Sequence, residues 1–116
     1  MSRSSLTRRA ALQWALVLPP AAMLARAVRA APAAAAVQIK GFAFVPEVIT
    51  VASGVTVTWT NTDEDPHTVR AVDKSFASSA LDTDDRYSFT FDKPGEYVYY
   101  CSLHPHMKGR VVVTAG

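Results

Sequence analysis

The sequence Val-Thr-Val-Thr-Trp-Thr at residues 55–60 alternates apolar and hydroxyl side chains without interruption. Successive side chains of a β-strand point to opposite faces, so Val55, Val57 and Trp59 share one face and three threonines share the other. Such alternation is typical of an antiparallel strand with one face in a core and the other in solvent. The segment therefore predicts a β-sheet protein.

Other short segments rich in β-branched or aromatic residues surround this one, and turn residues separate them. They span residues 37–44, 48–51, 67–70, 86–91, 96–101 and 110–114, with turns at 52–54 and 92–95. Gly41 within the first segment predicts a β-bulge. In the irregular segment 71–85, Phe76 and Leu81 are expected to anchor the chain to the core. No helical periodicity follows residue 36, so the pattern predicts an all-β sandwich of seven or eight strands with Greek-key connections.

The first 36 of the 116 residues differ in composition from the rest and predict a cleaved export signal. A basic start precedes an apolar segment at residues 10–24, and small residues follow it. The pair Arg8-Arg9, after Thr7, resembles the twin-arginine export motif. Export of this kind implies a location in the periplasm.

The apolar part of this leader is shorter than the ~20 residues of a membrane-spanning helix and contains two prolines, so we expect no stable membrane anchor. Cleavage is expected near Ala30 or within residues 33–36, and the sequence does not distinguish the two. Residues 37–116 then form one domain.

Charge divides along the same boundary. Residues 1–36 carry five arginines and no acid, whereas residues 37–116 carry seven basic and ten acidic residues. The net charge of +2 thus separates into +5 for the leader and −3 for the domain. Because the basic excess belongs to the export segment, we expect no nucleic-acid partner.

The stretch Cys-Ser-Leu-His-Pro-His-Met at residues 101–107 concentrates the side chains that can carry chemistry. It contains the single cysteine and two of the three histidines, and it ends in the one methionine outside the leader. The third histidine, His67, lies 34 residues before Cys101. A lone cysteine cannot form an internal disulfide, and the nearby imidazole and thioether favour metal ligation. A metal that binds only the folded state would also stabilise so small a domain.

Thiolate, imidazole and thioether ligands select copper or zinc over harder ions. Two histidines and a cysteine in a plane, with a weak axial methionine, form a blue copper site. The candidate set is His67, Cys101, His104 and Met107. Structural zinc sites use more cysteines and no methionine, and iron–sulfur clusters need several cysteines. The donor set therefore predicts one mononuclear copper ion.

Four motifs resemble those of the cupredoxins, the small blue copper proteins. They are Thr58-Trp59-Thr60-Asn61, Asp65-Pro66-His67-Thr68-Val69, Pro94-Gly95-Glu96-Tyr97 and Cys101-x-x-His104-Pro105-x-Met107-x-Gly109. Two residues separate Cys101 from His104, and two separate His104 from Met107. This short spacing resembles that of the amicyanin branch, whereas the plastocyanins place the methionine further from the histidine. The resemblance implies a cupredoxin fold with His67, Cys101, His104 and Met107 as copper ligands.

Two positions depart from the family pattern. Residue 106 is histidine where amicyanins tend to have an aromatic residue, and Thr68 stands where many members have asparagine. His106 as a ligand would match the longer azurin-type spacing from Cys101, but a methionine would then be expected at Arg110. His104 is therefore the predicted ligand, and His106 is expected to face solvent near the site.

A site filled by four protein ligands has no open position for a substrate, which disfavours an enzyme. The resemblance implies single-electron transfer by Cu(I)/Cu(II) cycling. It also places His104 in an apolar patch, for which the candidates are Leu103, Pro105, Met107 and Pro66.

We expect a monomer that docks transiently near His104 with redox proteins such as a c-type cytochrome or a dehydrogenase. The alternative function is a periplasmic copper carrier or storage protein. Such a protein would expose more methionine or histidine ligands than this chain contains.

Overall fold

A computed structural model describes residues 33–116, and within that range it contains eight β-strands and no helix. The strands are β1 (Ala34–Ile39), β2 (Phe44–Val45), β3 (Val48–Ala52), β4 (Val55–Asn61), β5 (Arg70–Ala71), β6 (Arg86–Phe91), β7 (Gly95–Tyr100) and β8 (Lys108–Thr114). The predicted all-β class and strand number are confirmed. In the described part of the chain, no helix has the length and apolar character needed to cross a membrane.

The predicted export signal lies almost entirely outside the described residues. Its last residues, 33–36, are described, and β1 already begins at Ala34. Ala34 lies beside Thr56 of β4 in a parallel pairing that continues to Ile39 and Asn61. The folded domain therefore includes residues on both sides of the predicted boundary.

The strands form two four-stranded sheets. The first has the order β2-β1-β4-β6 and the second the order β3-β8-β7-β5. β1 runs parallel to β4 and β3 parallel to β8, while the remaining neighbours are antiparallel. Because strands distant in sequence are neighbours in both sheets, the chain crosses between the sheets, in agreement with the Greek-key prediction.

Strand β4 has the alternation that its sequence predicted. Val55, Val57 and Trp59 are buried, and the outward hydroxyls of Thr56 and Thr58 each lie 2.7 Å from a hydroxyl on β6. The buried indole of Trp59 packs edge-on against the ring of Tyr99 in the second sheet, with centroids 5.4 Å apart. Aromatic packing of this kind joins the two sheets.

The irregular segment 71–85 is fixed to the core as predicted. Phe76 and Leu81 are both buried. The backbone of Leu81 exchanges two hydrogen bonds with that of His67, at 2.7 and 3.1 Å. This pairing explains why β5 contains only Arg70 and Ala71 instead of starting at His67, as the sequence suggested.

Strands β7 and β8 fix the two ends of the 101–107 loop. Tyr100 pairs with Lys108 immediately outside the loop, and Tyr99 pairs with Gly109. A Cβ atom at Gly109 would overlap the buried ring and hydroxyl of Tyr99. Glycine is therefore required where the two strands meet the loop.

A four-residue hairpin turn, residues 40–43, joins β1 to β2. The backbone N–H of Lys40 donates to the carbonyl of Ala43 at 2.9 Å, and both central residues, Gly41 and Phe42, have positive φ angles of 63° and 57°. Positive φ at both central positions is a requirement of the type I′ hairpin. The predicted bulge at Gly41 is wrong, because this glycine serves the turn.

Candidate metal centre

Three of the predicted ligand side chains meet at one end of the sandwich. The Sγ atom of Cys101 lies 3.7 Å from Nδ1 of His67 and 3.8 Å from Nδ1 of His104. All three donor atoms lie within 4.8 Å of one another. His67 and Cys101 are fully buried, whereas His104 is half-buried. The site is therefore closed except at the edge of one imidazole.

The 101–107 loop is folded by its own backbone. The amide of His104 donates to the carbonyl of Cys101 at 3.2 Å, and the amide of Met107 donates to the carbonyl of His104 at 2.9 Å. The amide of Cys101 closes the loop by donating to the carbonyl of Met107 at 3.1 Å. Spacings of two residues thus return His104 to the side of Cys101, while Met107 is buried in the adjoining core.

His67 is oriented by a carboxylate. Its Nε2 atom lies 2.9 Å from Oδ2 of Asp63, whose side chain is 13% exposed. With Asp63 ionised, Nε2 carries the proton and donates it, which leaves the lone pair of Nδ1 directed at Cys101. A second hydrogen bond of this kind is how metal-ligating histidines are commonly held.

The same carboxylate accepts two backbone hydrogen bonds from the β1–β2 turn. Gly41 N donates to Oδ1 at 2.7 Å and Phe42 N donates to Oδ2 at 2.9 Å. Burial raises the pKa of Asp63, but the hydrogen bonds from Phe42, Gly41 and His67 outweigh it and hold the pKa below its ordinary value. Asp63 therefore stays ionised and links the turn to a candidate ligand.

Asn61 shapes the loop that carries Asp63. Its buried amide donates to the carbonyls of Asp65 and Leu81, both at 2.9 Å, and its Oδ1 accepts from the amide of Asp63 at 2.9 Å. These bonds satisfy a fully buried polar side chain. The sequence motif that contains Asn61 marked the position without revealing this role.

Thr68 connects the His67 segment to the 101–107 loop. Its amide donates to Cys101 Sγ at 3.3 Å. Its hydroxyl accepts from the amide of Ser102 at 2.7 Å and lies 2.8 Å from the Ser102 hydroxyl. Although Thr68 departs from the family pattern, it bridges the two segments that carry the candidate ligands.

The residues present fit a copper ion. An ion about 2.0 Å from an imidazole nitrogen and about 2.3 Å from a thiolate, the bond lengths of zinc sites, separates them by about 3.7 Å in a trigonal arrangement. The observed nitrogen–sulfur distances are 3.7 and 3.8 Å. One thiolate and two imidazoles are also the donors of a blue copper plane.

The other predicted positions fall outside this group of three. His106 is exposed, and its ring centroid lies 6.4 Å from that of His104. Met107 is buried and is therefore not part of an exposed apolar patch, which corrects that part of the prediction. The exposed aromatic beside the site is instead Phe42, which the sequence did not single out.

A family model described as a cupredoxin-like domain matches residues 9–113. The chain belongs to the cupredoxin family. Among cupredoxins, it is 40% identical to amicyanin-alpha of Methylorubrum extorquens over 93 residues, which cover 75% of this chain and 78% of the relative.

Solved cupredoxin structures have the same fold as this chain. A purple cupredoxin from Nitrosopumilus maritimus is 34% identical, with a TM-score of 0.66 over 69% of this chain and 99% of the other. Amicyanin from Paracoccus versutus is 33% identical, with a TM-score of 0.64 over 70% of this chain and 81% of the other. The chain is thus a one-copper protein of the electron-carrier class and not an enzyme.

Asp63→Asn should destabilise the metal-free protein at neutral pH. The neutral amide accepts hydrogen bonds more weakly than the carboxylate, so we expect the free energy of unfolding to fall by about 1–3 kcal/mol. Because the folded-state pKa of Asp63 is lowered, its contribution is present above the unfolded pKa of about 4 and is lost as the pH falls through the folded value. Urea unfolding at pH 7 and at pH 3 measures both effects.

The exposed neighbour Asp65 gives the control, because Asp65→Asn should change the free energy of unfolding by less than about 0.5 kcal/mol. An equal destabilisation by Asp63→Asn at both pH values would contradict the stabilising role of the ionised carboxylate.

Thr68→Val keeps the side-chain shape but removes the hydroxyl that accepts from Ser102 N. We expect the free energy of unfolding of the metal-free protein to fall by about 1–2 kcal/mol, because the amide loses its partner. Thr68→Ser retains the hydroxyl and should lose less. Equal losses in the two variants, measured by urea unfolding, would show that the hydroxyl is not the stabilising group.

Proposed function

We propose that this cupredoxin is a periplasmic blue copper protein that carries single electrons between redox partners. One copper ion is held by His67, Cys101, His104 and Met107. The observation that carries the proposal is the group of one sulfur and two imidazole nitrogens within 4.8 Å of one another, with Cys101 and His67 fully buried. Bound copper supplies one-electron exchange between its Cu(I) and Cu(II) states.

The side chains around the ion hold it in one arrangement. Asp63 fixes the ring of His67, and the amide of Thr68 donates toward Cys101 Sγ. The fully buried positions of Cys101 and His67 exclude water from their side of the site. Ligands held in this way rearrange little when the charge of the ion changes, which suits electron transfer.

The burial of the donors argues against a copper carrier or storage protein. A protein that hands over its ion needs ligands that a recipient can reach, whereas Cys101, His67 and Met107 are all buried. Met107 is also the one methionine outside the predicted leader. Slow release of copper is therefore expected.

His104 is the proposed electron port. It is the half-buried member of the donor group, and Leu103 and Pro105 beside it are exposed. The exposed ring of Phe42, whose centroid lies 4.9 Å from that of His104, extends this apolar surface, and Pro66, which precedes His67 in the chain, is also exposed. A small apolar surface suits a weak, short-lived complex with a redox protein such as a c-type cytochrome or a dehydrogenase.

Two acidic loops flank this apolar surface on the side of His67. Residues 63–65 and 82–85 contain six carboxylates, and the Thr83 hydroxyl donates to the carbonyl of Asp63 at 2.7 Å. The 101–107 loop carries no formal charge apart from its histidines, and Arg86 directly follows the second acidic loop in the chain. A partner with a basic surface would be attracted to this side.

The periplasmic location is supported by the export signal that the sequence predicts. The extent of β1 bears on where the signal would be cleaved. Cleavage near Ala30 leaves the whole pairing of Ala34–Ile39 with β4, whereas cleavage after residue 36 removes half of it. We therefore favour cleavage near Ala30.

Copper binding is tested by reconstituting residues 31–116 with Cu(II). We expect an intense thiolate-to-copper band in the visible spectrum and reversible one-electron voltammetry. His104→Ala should abolish the band because a donor is lost, whereas His106→Ala should leave it unchanged.

A colourless protein that quickly yields its copper to a chelator would overturn the electron-carrier proposal in favour of a carrier or storage role. Loss of the band in His106→Ala, with retention in His104→Ala, would reassign the ligand.

The proposed attraction of positive charge by the acidic loops is tested with a small cationic oxidant. We expect the reduced protein to react with a cationic cobalt(III) complex at a rate that falls as ionic strength rises, because salt screens the attraction. Neutralising the exposed pair by Glu64→Gln with Asp65→Asn should lower this rate about 2–5-fold at low salt.

The matched control is Asp92→Asn with Glu96→Gln. This pair changes the net charge by the same amount, but it lies at the start of β7, the end away from Cys101. It should alter the rate by less than about 1.5-fold. Similar effects from both pairs would indicate that net charge alone, and not the acidic side, governs the reaction.

A further inference from the structure

The residue at the second central position of the β1–β2 turn is poorly suited to its backbone. Phe42 has a φ of 57°, in the left-handed region. For a bulky residue this conformation is a genuine outlier, and type I′ turns favour asparagine or glycine there. A side chain kept against its backbone preference points to a role for that side chain.

The carboxylate of Asp63, which also holds His67, stabilises this conformation of the turn. The successive N–H groups of Gly41 and Phe42 both donate to the Asp63 carboxylate, at 2.7 and 2.9 Å, in the manner of an anion-binding nest. The same carboxylate accepts from His67. The position of Phe42 is therefore coupled to that of a candidate copper ligand.

The ring of Phe42 contacts both imidazoles. Its centroid lies 5.1 Å from that of His67 and 4.9 Å from that of His104, with interplanar angles of 89° and 84°. The two imidazole centroids are themselves 4.9 Å apart. The three rings thus form a triangle of edge-to-face contacts, each within the favoured distance range.

Burial in the core does not explain this residue, because Phe42 is 41% exposed. His67 has the carboxylate of Asp63 to hold its outer nitrogen. Within residues 33–116, Nε2 of His104 has no hydrogen-bond partner, and its ring lies on a half-exposed loop. The Phe42 ring therefore packs against the imidazole that has no hydrogen bond to fix its outer nitrogen.

We propose that Phe42 is a positioning residue that restrains the imidazole of His104 and closes the site over both histidines. This inference rests on the proposed function, since it concerns the retention of the ion and the constancy of its ligands during electron transfer. Without the ring, His104 can rotate away from Cys101, and water reaches the donor group from the side of the turn.

Phe42→Gly and Phe42→Asn remove the ring while suiting the left-handed turn, so the fold should be retained. In the metal-free protein, NMR relaxation of ¹³C-labelled imidazoles should show greater motion of His104 and little change in His67. In the copper-loaded protein, we expect loss of copper to a chelator to be about tenfold faster, the size of effect typical of residues that support metal ligands.

Phe42→Tyr retains the ring and should restore both properties. Val45→Asn, which replaces a similarly exposed apolar residue of the same hairpin, should leave the order of the His104 ring unchanged. Ring motion and copper loss in Phe42→Gly and Phe42→Asn equal to those of the wild type would overturn the inference. A wild-type protein without the thiolate-to-copper band would overturn the proposed function instead, and the metal-free NMR comparison would still decide the role of Phe42.

Discussion

The close approach of one sulfur and two imidazole nitrogens, all within 4.8 Å of one another and two of them on fully buried residues, is the constraint on which the site depends. Cys101 and His67 are inaccessible to solvent, so water cannot compensate their lone pairs or a thiolate charge. Thr68 supplies two donors to the sulfur, its amide at 3.3 Å and its hydroxyl at 3.9 Å, and Asp63 holds the proton of His67 on its own side. A soft cation bound by these donors would supply the remaining compensation, and its binding would then be linked to the packing of this part of the protein.

The donors lie on loops, but the strands fix the loops at both ends. The Tyr100–Lys108 pair closes the base of the 101–107 loop, and the close approach of Gly109 to Tyr99 admits no side chain between the strands. His67 is held across the molecule by its backbone pairing with Leu81. The loops are thereby given the precision that a metal site requires, without any regular secondary structure of their own.

The sequence predicted features that repeat along the chain and failed on those that join distant loops. The alternation of apolar and polar residues predicted β4, because burial of one face of a single strand requires an apolar residue at every second position. The spacing of Cys101, His104 and Met107 was informative because the loop folds on its own backbone. The contacts of Asp63 with Gly41 and Phe42 span 21 or 22 residues between two turns, and no local pattern encodes them. The same limit applied to Met107, whose burial depends on the surrounding core and could not be read from its place in the loop.

The acidic residues of the loop at 61–66 have two different roles. Asp63 directs its carboxylate inward, where three donors hold it, whereas Glu64 and Asp65 remain exposed. The inward carboxylate cannot be neutralised without disturbing a candidate ligand and the turn that carries Phe42. The carboxylates of the outward pair make no side-chain hydrogen bond among residues 33–116, so they contribute little to the fold and face solvent. Adjacent acids therefore separate the support of a candidate ligand from the proposed attraction of a partner, and mutations can change the two properties independently.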